Sequence, residues 1–254
     1  MNKLIIGNLK MNILSLVEQE KYLKLFKKAL TKKEFLQTEI VLCPPVIHLA
    51  GFHKMALKNV KIGAQNVFWE QKGSYTGEIS TLMLKNFGCE YVILGHSERR
   101  RYLHERDEEI NLKIIAALKD GLKPILCVGE NGEQKGEGSG AIMEQLENCL
   151  ADVNQREIEN VVICYEPVWA ISSNNPDHLP SANDIMSAKL IIRKFIVGKY
   201  SAKTFEKIKI IYGGSVSAET VEETCLEGGM GGALVGRESL SPIEFLKIAK
   251  IIDK

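Results

Sequence analysis

Short, almost wholly apolar runs recur along this chain, separated by longer segments in which apolar residues return every three or four positions. The runs are Leu4 to Gly7, Ile40 to Cys43, Val60 to Ala64, Tyr91 to Gly95, Pro124 to Val128, Val161 to Tyr165, Ile208 to Tyr212 and Ala233 to Gly236. A strand with one wet face alternates apolar and polar residues, so unbroken runs predict strands buried on both faces, as in a parallel sheet covered by helices. Between them, Ile110, Ile114, Ala117 and Leu118 share one helical stripe that Gly121 closes, and Ile185, Ala188, Ile192 and Phe195 make another. The tetrapeptide Ser241-Pro242-Ile243-Glu244 predicts a helix start, with a capping serine, a first-turn proline and a capping-box glutamate ahead of Phe245, Ile248, Ala249 and Ile252.

Eight strand-then-helix units without an intervening polar linker imply parallel pairing through right-handed crossovers. The expected architecture is an α/β fold in which eight parallel strands close into a (β/α)8 barrel, one domain over residues 1–254. A chain of 254 residues suits it, since such barrels occupy about 250. A doubly wound open sheet is the alternative, but the first strand lacks the G-x-G-x-x-G turn of a dinucleotide site.

Composition narrows the function classes. With 33 basic and 32 acidic residues the formal charge is +1, which argues against a nucleic-acid groove or an electrostatic membrane anchor and leaves a small molecule as the expected ligand. The cysteines Cys43, Cys89, Cys127, Cys149, Cys164 and Cys225 are dispersed, form no C-x-x-C pair and sit largely in apolar runs, as reduced buried thiols would; no metal-ligand spacing appears. The chain opens directly on the strand-like Lys3-Leu4-Ile5-Ile6, without a signal peptide, and no apolar run approaches membrane-spanning length, so a soluble cytoplasmic protein is expected.

In a barrel of this kind chemistry is sought where each strand ends. Glu166, in Tyr165-Glu166-Pro167-Val168-Trp169-Ala170-Ile171, follows a strand buried on both faces; a carboxylate there is costly unless used, which makes it a candidate base. Asn8 and Lys10, two apart, project to the same side of an extended chain, with Leu9 turned the other way into packing. A lysine aimed into a barrel mouth calls for an anion. His96 ends the fourth run, where Ser97 can cap a short helix. Tyr212-Gly213-Gly214-Ser215 and Gly236-Arg237 follow the seventh and eighth runs, where glycine turns and helix-start N–H groups recurrently hold phosphate.

Four segments, Asn8-Leu9-Lys10-Met11-Asn12, Gly95-His96-Ser97-Glu98-Arg99-Arg100, Tyr165 to Ile171 and Tyr212-Gly213-Gly214-Ser215, resemble the signature segments of the triosephosphate isomerase family, in order and at the family's spacing. The resemblance spans nearly the whole chain and implies a TIM barrel that interconverts dihydroxyacetone phosphate and glyceraldehyde 3-phosphate through an enediol, in glycolysis and gluconeogenesis, with neither metal nor organic cofactor. It implies Glu166 as the base that moves a proton between carbons, His96 as the neutral imidazole serving the oxygens, Lys10 as the cation facing the developing charge and Asn8 as a positioning group. Glu98, paired with the lysine, and Tyr212 take supporting places. Backbone N–H groups of Ser172, Ser215, Gly236 and Arg237 would hold the phosphate.

The chain also departs from the family. The lid after Ile171, usually Gly-Thr-Gly-Lys, reads Ser172-Ser173-Asn174-Asn175 and then Pro176-Asp177-His178-Leu179-Pro180, one residue longer, and Pro176 restricts the trailing hinge, so altered lid kinetics are expected. Arg237 stands where a second glycine is common, either with only its amide used or with its guanidinium on the phosphate. Gln65-Asn66-Val67 and Gly73 to Ser80 resemble the loop that projects into a partner subunit, with Thr76 at its tip, which implies a homodimer. Another phosphate-binding barrel enzyme, or a catalytically silent barrel, would not be expected to carry this lysine, histidine and glutamate together.

Overall fold

The computed structural model describes residues 2–30, 35, 37–54, 57, 60–131, 138–171 and 178–254. Eight parallel strands follow one another around a closed barrel: β1 (Lys3–Asn8), β2 (Thr38–Cys43), β3 (Val60–Ala64), β4 (Cys89–Leu94), β5 (Lys123–Val128), β6 (Val162–Tyr165), β7 (Lys209–Tyr212) and β8 (Gly232–Val235), which pairs back to β1. Each predicted run coincides with one of them. The described helices are α1 (Leu16–Leu30), α2 (Leu49–Lys54), α3 (Thr81–Asn86), α4 (Ser97–Leu103), α5 (Asp107–Lys119), α6 (Gly138–Cys149), α7 (Ala182–Lys199), α8 (Ala202–Phe205) and α9 (Pro242–Ile252).

The apolar runs are unbroken because the barrel has two cores. Alternate residues, among them Leu4, Ile6, Val41, Ile93, Ile125, Cys164 and Ile211, pack together inside it. Their sequence neighbours Ile5, Ile40, Leu42, Leu94, Leu126, Ile163 and Ile210 join a larger cluster between strands and helices. Each fully buried Leu or Ile contributes roughly 1.5–3 kcal/mol, so neither face tolerates a polar residue in mid-strand. Where space runs out, glycine substitutes for a side chain. A Cβ on Gly63 would lie 2.6 Å from Cys43 Sγ.

Helix starts follow the capping chemistry in the sequence with two corrections. Ser241 Oγ accepts the Glu244 N–H at 3.4 Å and Pro242 opens α9, but the predicted capping box is only half made. The Ser241 N–H is already donated to the Glu238 carbonyl at 3.3 Å, and the Glu244 carboxylate faces Lys247 Nζ at 3.6 Å. The cap of α4 is His96, not Ser97 as the sequence suggested. All six cysteines are buried free thiols, and burial pushes Cys89 and Cys225 up to about 12. Among the described residues no helix is long and apolar enough to cross a membrane.

Candidate active site

A cleft of about 300 Å³ opens where the strands end, and Asn8, Lys10, His96, Glu166, Ser215, Gly236 and Arg237 all line it. Strand alternation aims most of these groups. On β1, Leu4 and Ile6 point into the barrel, so Asn8 and then Lys10 follow on the same side, while Leu9 is fully buried against the helices. On β6, Cys164 points inward and Tyr165 outward, so Glu166 turns back inward.

Lys10 has a left-handed backbone, with φ 49°. For a residue with a side chain this costs roughly 1–2 kcal/mol, so the surroundings must hold it. Asn8 Oδ1 accepts the Lys10 N–H at 3.1 Å, and Gln65 Nε2 donates to both the Lys10 and Cys43 carbonyls at 2.9 Å. Asn8 therefore positions the lysine as well as lining the cleft. The Lys10 ammonium meets Glu98 Oε1 at 2.7 Å. A Cβ on Gly236 would stand 3.4 Å from Lys10 Cε, so glycine there leaves room for the lysine stem.

His96 reaches the cleft by a different route. Strand parity would turn it outward beside Leu94, but Gly95 adopts φ +69° and reverses the sense. Its Nδ1 accepts the Glu98 N–H at 3.2 Å at the start of α4, which assigns the proton of the neutral ring to Nε2. Nε2 lies 3.1 Å from Glu166 Oε1, and Glu166 Oε2 accepts the Ser97 N–H at 3.0 Å. Glu166 is almost wholly buried. Burial alone would raise its pKa, but the His96 contact, the Ser97 amide and the Lys10 charge outweigh it and hold the carboxyl below its ordinary value. For His96, burial disfavours the imidazolium, and the Glu166 carboxylate outweighs that and holds the ring above its ordinary value while the two are paired.

The signs give a stability window. A depressed carboxyl stabilises the fold above its unfolded value and loses that contribution as pH falls through the folded one; a raised imidazole stabilises below its unfolded value and loses it as pH rises through the folded one. The pair thus contributes fully between the ordinary carboxylate and imidazole values, about 4.3 and 6.5. Thermal midpoints of the parent and His96→Gln across pH should differ most in that interval and converge on both sides. A difference that does not vary with pH would contradict this account.

The phosphate-holding residues are only partly arrayed as the sequence suggested. The Ser215 N–H is donated to the Ala170 carbonyl at 3.2 Å, and Ser215 Oγ also bonds that carbonyl at 2.9 Å. In this geometry the expected donor is therefore engaged with the Val168–Ala170 turn. Gly236 and the exposed Arg237 stand on the cleft wall, where Arg237 opens a 3-10 turn. Ser172 lies outside the described residues, as does the lid sequence through Asp177. The Tyr212 hydroxyl is buried beneath the Gly213-Gly214 turn without a hydrogen-bond partner among the described residues, and burial raises its pKa well above the ordinary value. A Cβ on Gly214 would fall 2.1 Å from it.

Three functional positions escaped the sequence reading. Ser97 serves through its amide, and Gln65 braces the lysine backbone; neither role leaves a mark in residue type. Glu130 had a signal, being a buried acid two residues past β5, by the same logic that picked out Glu166. Its Oε1 accepts the Tyr165 hydroxyl and the Trp169 indole N–H, both at 2.9 Å, and its carbonyl accepts the Val168 N–H at 2.9 Å. Glu130 thus anchors the Val168–Ala170 turn that follows β6. The His178 ring packs on the same Trp169 with centroids 5.4 Å apart.

Comparison with known proteins points to one family. A family model described as triosephosphate isomerase matches residues 3–252. The triosephosphate isomerase of Thermoanaerobacter sp. (strain X514) is 40% identical over 248 residues, 96% of this chain and 97% of its own. That of Dictyoglomus thermophilum is 42% identical over 252 residues, 98% of each chain, and that of Trichodesmium erythraeum 43% identical over 240 residues, 89% of this chain and 94% of its own.

Proposed function

The chain belongs to the triosephosphate isomerase family, and we propose that Glu166, His96, Lys10 and Asn8 carry out its reaction in the cleft described above. The reaction interconverts dihydroxyacetone phosphate and D-glyceraldehyde 3-phosphate, an intramolecular aldose–ketose isomerisation of glycolysis and gluconeogenesis. Glu166 removes a proton from the carbon beside the carbonyl, leaving an enediol, and returns it to the neighbouring carbon. To do so it exchanges the Ser97 amide and His96 for the substrate C–H. Once the carboxylate turns to substrate, the influence that favoured the imidazolium is gone, and burial and the start of α4 keep His96 neutral. Its Nε2–H then donates to the carbonyl oxygen and shuttles the proton between the two oxygens. Triosephosphate isomerase is itself a standard example of a neutral imidazole working beside a glutamate base. The Lys10 ammonium stabilises the negative charge that develops on the oxygen.

What carries this reading is the convergence of a buried carboxylate, an imidazole of assigned tautomer and a strained lysine within one cleft. A coupled assay of the purified protein with dihydroxyacetone phosphate tests it; a folded preparation that converts none would sink it.

For the phosphate we assign backbone N–H groups of Ser215, Gly236 and Arg237, together with Ser172 by resemblance. Ser215 must release the Ala170 carbonyl before it can donate to phosphate, which couples phosphate binding to the base of the lid. The exposure of Arg237 supports use of its amide alone. Arg237→Ala is then expected to change the KM for dihydroxyacetone phosphate by no more than about two-fold, as for a surface substitution. A ten-fold or greater rise would put the guanidinium on the phosphate instead.

The assembly we propose is a homodimer. Met11, Leu14, Ile47, Tyr102 and Leu103 are largely exposed apolar residues near the strand-end loops, more than an isolated surface normally leaves wet. Beside Lys10 a second cavity of about 450 Å³, bordered by Gln65, Glu78, Glu98 and Arg99, is wide enough for a loop tip. The exposed Thr76 loop of a second copy suits it, with the aromatic packing of Phe68 on Tyr75 at 4.7 Å holding the loop base. Specific activity should therefore fall on dilution in step with dissociation followed by sedimentation. A fully active monomer would remove the proposal.

A further inference from the structure

At the other mouth of the barrel, where the strands begin, a cavity of about 370 Å³ opens beside the starts of β1, β7 and β8. Its lining carries three ammonium groups, Lys3, Lys189 and Lys209, against one carboxylate, Glu206, in a chain whose formal charge is only +1. Two of the ammoniums stand side by side. Lys189 Nζ donates to the Gly229 carbonyl and Lys3 Nζ to the neighbouring Met230 carbonyl at 3.4 Å. One carbonyl leaves an ammonium with donors to spare.

Lys3 and Lys189 are unfavourable neighbours for each other as they stand: burial and then the charge of Lys3 hold Lys189 below its ordinary value, with Glu206 opposing, while burial holds Lys209 down against the Glu39 carboxylate, with Lys123 adding less. The wall beside them is nearly bare of side chains, since the turn runs Gly228-Gly229-Met230-Gly231-Gly232. A Cβ on Gly229 would stand 3.2 Å from Lys189 Nζ. Capping the carbonyls that follow the helical turn Glu222–Glu227 accounts for Lys3 and Lys189, but it gives Lys209 no task.

We propose that this cavity is a second anion site, taking a small phosphate compound more highly charged than a phosphate monoester between the ammonium groups of Lys3, Lys189 and Lys209. A multivalent phosphate offers each ammonium a charged acceptor, whereas the carbonyls offer only dipoles. The length of a barrel strand, roughly 15–20 Å, separates the site from the catalytic cleft, so the two should fill independently.

Calorimetric titration with inorganic pyrophosphate tests this, with the catalytic cleft first saturated by glycerol 3-phosphate, which resembles the substrate but lacks its carbonyl. One equivalent of pyrophosphate per chain should still bind. In Lys189→Met/Lys209→Met that equivalent should weaken by at least about ten-fold, the loss of one charge-assisted bond, while isomerase activity is unchanged. Lys209→Gln, which gives up no hydrogen bond among the described residues, should weaken it measurably and guards against a double variant that does not fold. Absence of any binding once the cleft is filled, or an equivalent that binds both variants as tightly as the parent, would overturn the proposal.

Discussion

Glu166→Gln is expected to lower kcat for dihydroxyacetone phosphate by roughly 100- to 10,000-fold, the usual worth of a positioned general base, with little change in KM. The amide is nearly isosteric with the carboxylate and keeps an oxygen for the Ser97 N–H, 3.0 Å away in the parent. It has no basic oxygen to accept a carbon-bound proton, so the deficit falls on the chemical step. The single amide oxygen cannot serve both the Ser97 N–H and His96 Nε2, which lies 3.1 Å from Glu166 in the parent, so the imidazole must turn or change tautomer locally, and KM is read beside kcat for that reason. Steady-state kinetics in both directions, with circular dichroism to establish folding, would measure it. A variant retaining more than a tenth of parental kcat would mean that another group takes the proton.

Lys10→Met should have the second-largest effect, a fall in kcat/KM of at least the roughly 100- to 1,000-fold that follows loss of one oxyanion donor. The reason for expecting more lies in Glu98. In the parent its Oε1 is 2.7 Å from the Lys10 ammonium, and its Oε2 is 3.7 Å from His96 Nδ1. Without the ammonium an unpaired carboxylate is left beside the atoms on which negative charge must develop, so the local field changes sign as well as weakening. Glu98 is also free to draw a proton onto His96 Nδ1, which would spoil the neutral tautomer. Adding Glu98→Gln to Lys10→Met should therefore restore part of the lost activity, a non-additivity that a double-mutant cycle in kcat/KM measures directly. If the double variant is no better than the single one, Glu98 has no such hold on the oxyanion.

The residues proposed as catalytic were legible because barrel geometry turns a one-dimensional rule into a location. Glu166 and Lys10 each follow a strand by an even step from an inward residue, Cys164 and Ile6, so period-two alternation alone aims them into the cleft. His96 obeyed the strand-end rule without obeying the parity rule; its entry depends on the positive φ of Gly95, which a glycine in the sequence permits but does not announce. The helix cap was misplaced for the same kind of reason. Serine is the commoner capping residue, but the chain turns one residue earlier and His96 Nδ1 takes the Glu98 N–H.

By itself the sequence determined the strand count, their burial on two faces, the barrel class and the identity of the lysine, imidazole and carboxylate, because hydrophobic periodicity and strand-end position are local properties written in residue types. Only the tertiary structure decided how those groups are set: the left-handed Lys10 braced by Gln65, the tautomer of His96, the Ser97 amide holding Glu166, the Glu130 anchor under Trp169 and the Ser215 amide tied to Ala170. Apart from the His96 tautomer, which rests on the Glu98 N–H two residues on, each of these is a backbone torsion or a hydrogen bond between residues far apart in the chain. Such bonds are chosen by whichever partner the closed barrel brings within about 3 Å, and a main-chain N–H looks the same in every residue but proline.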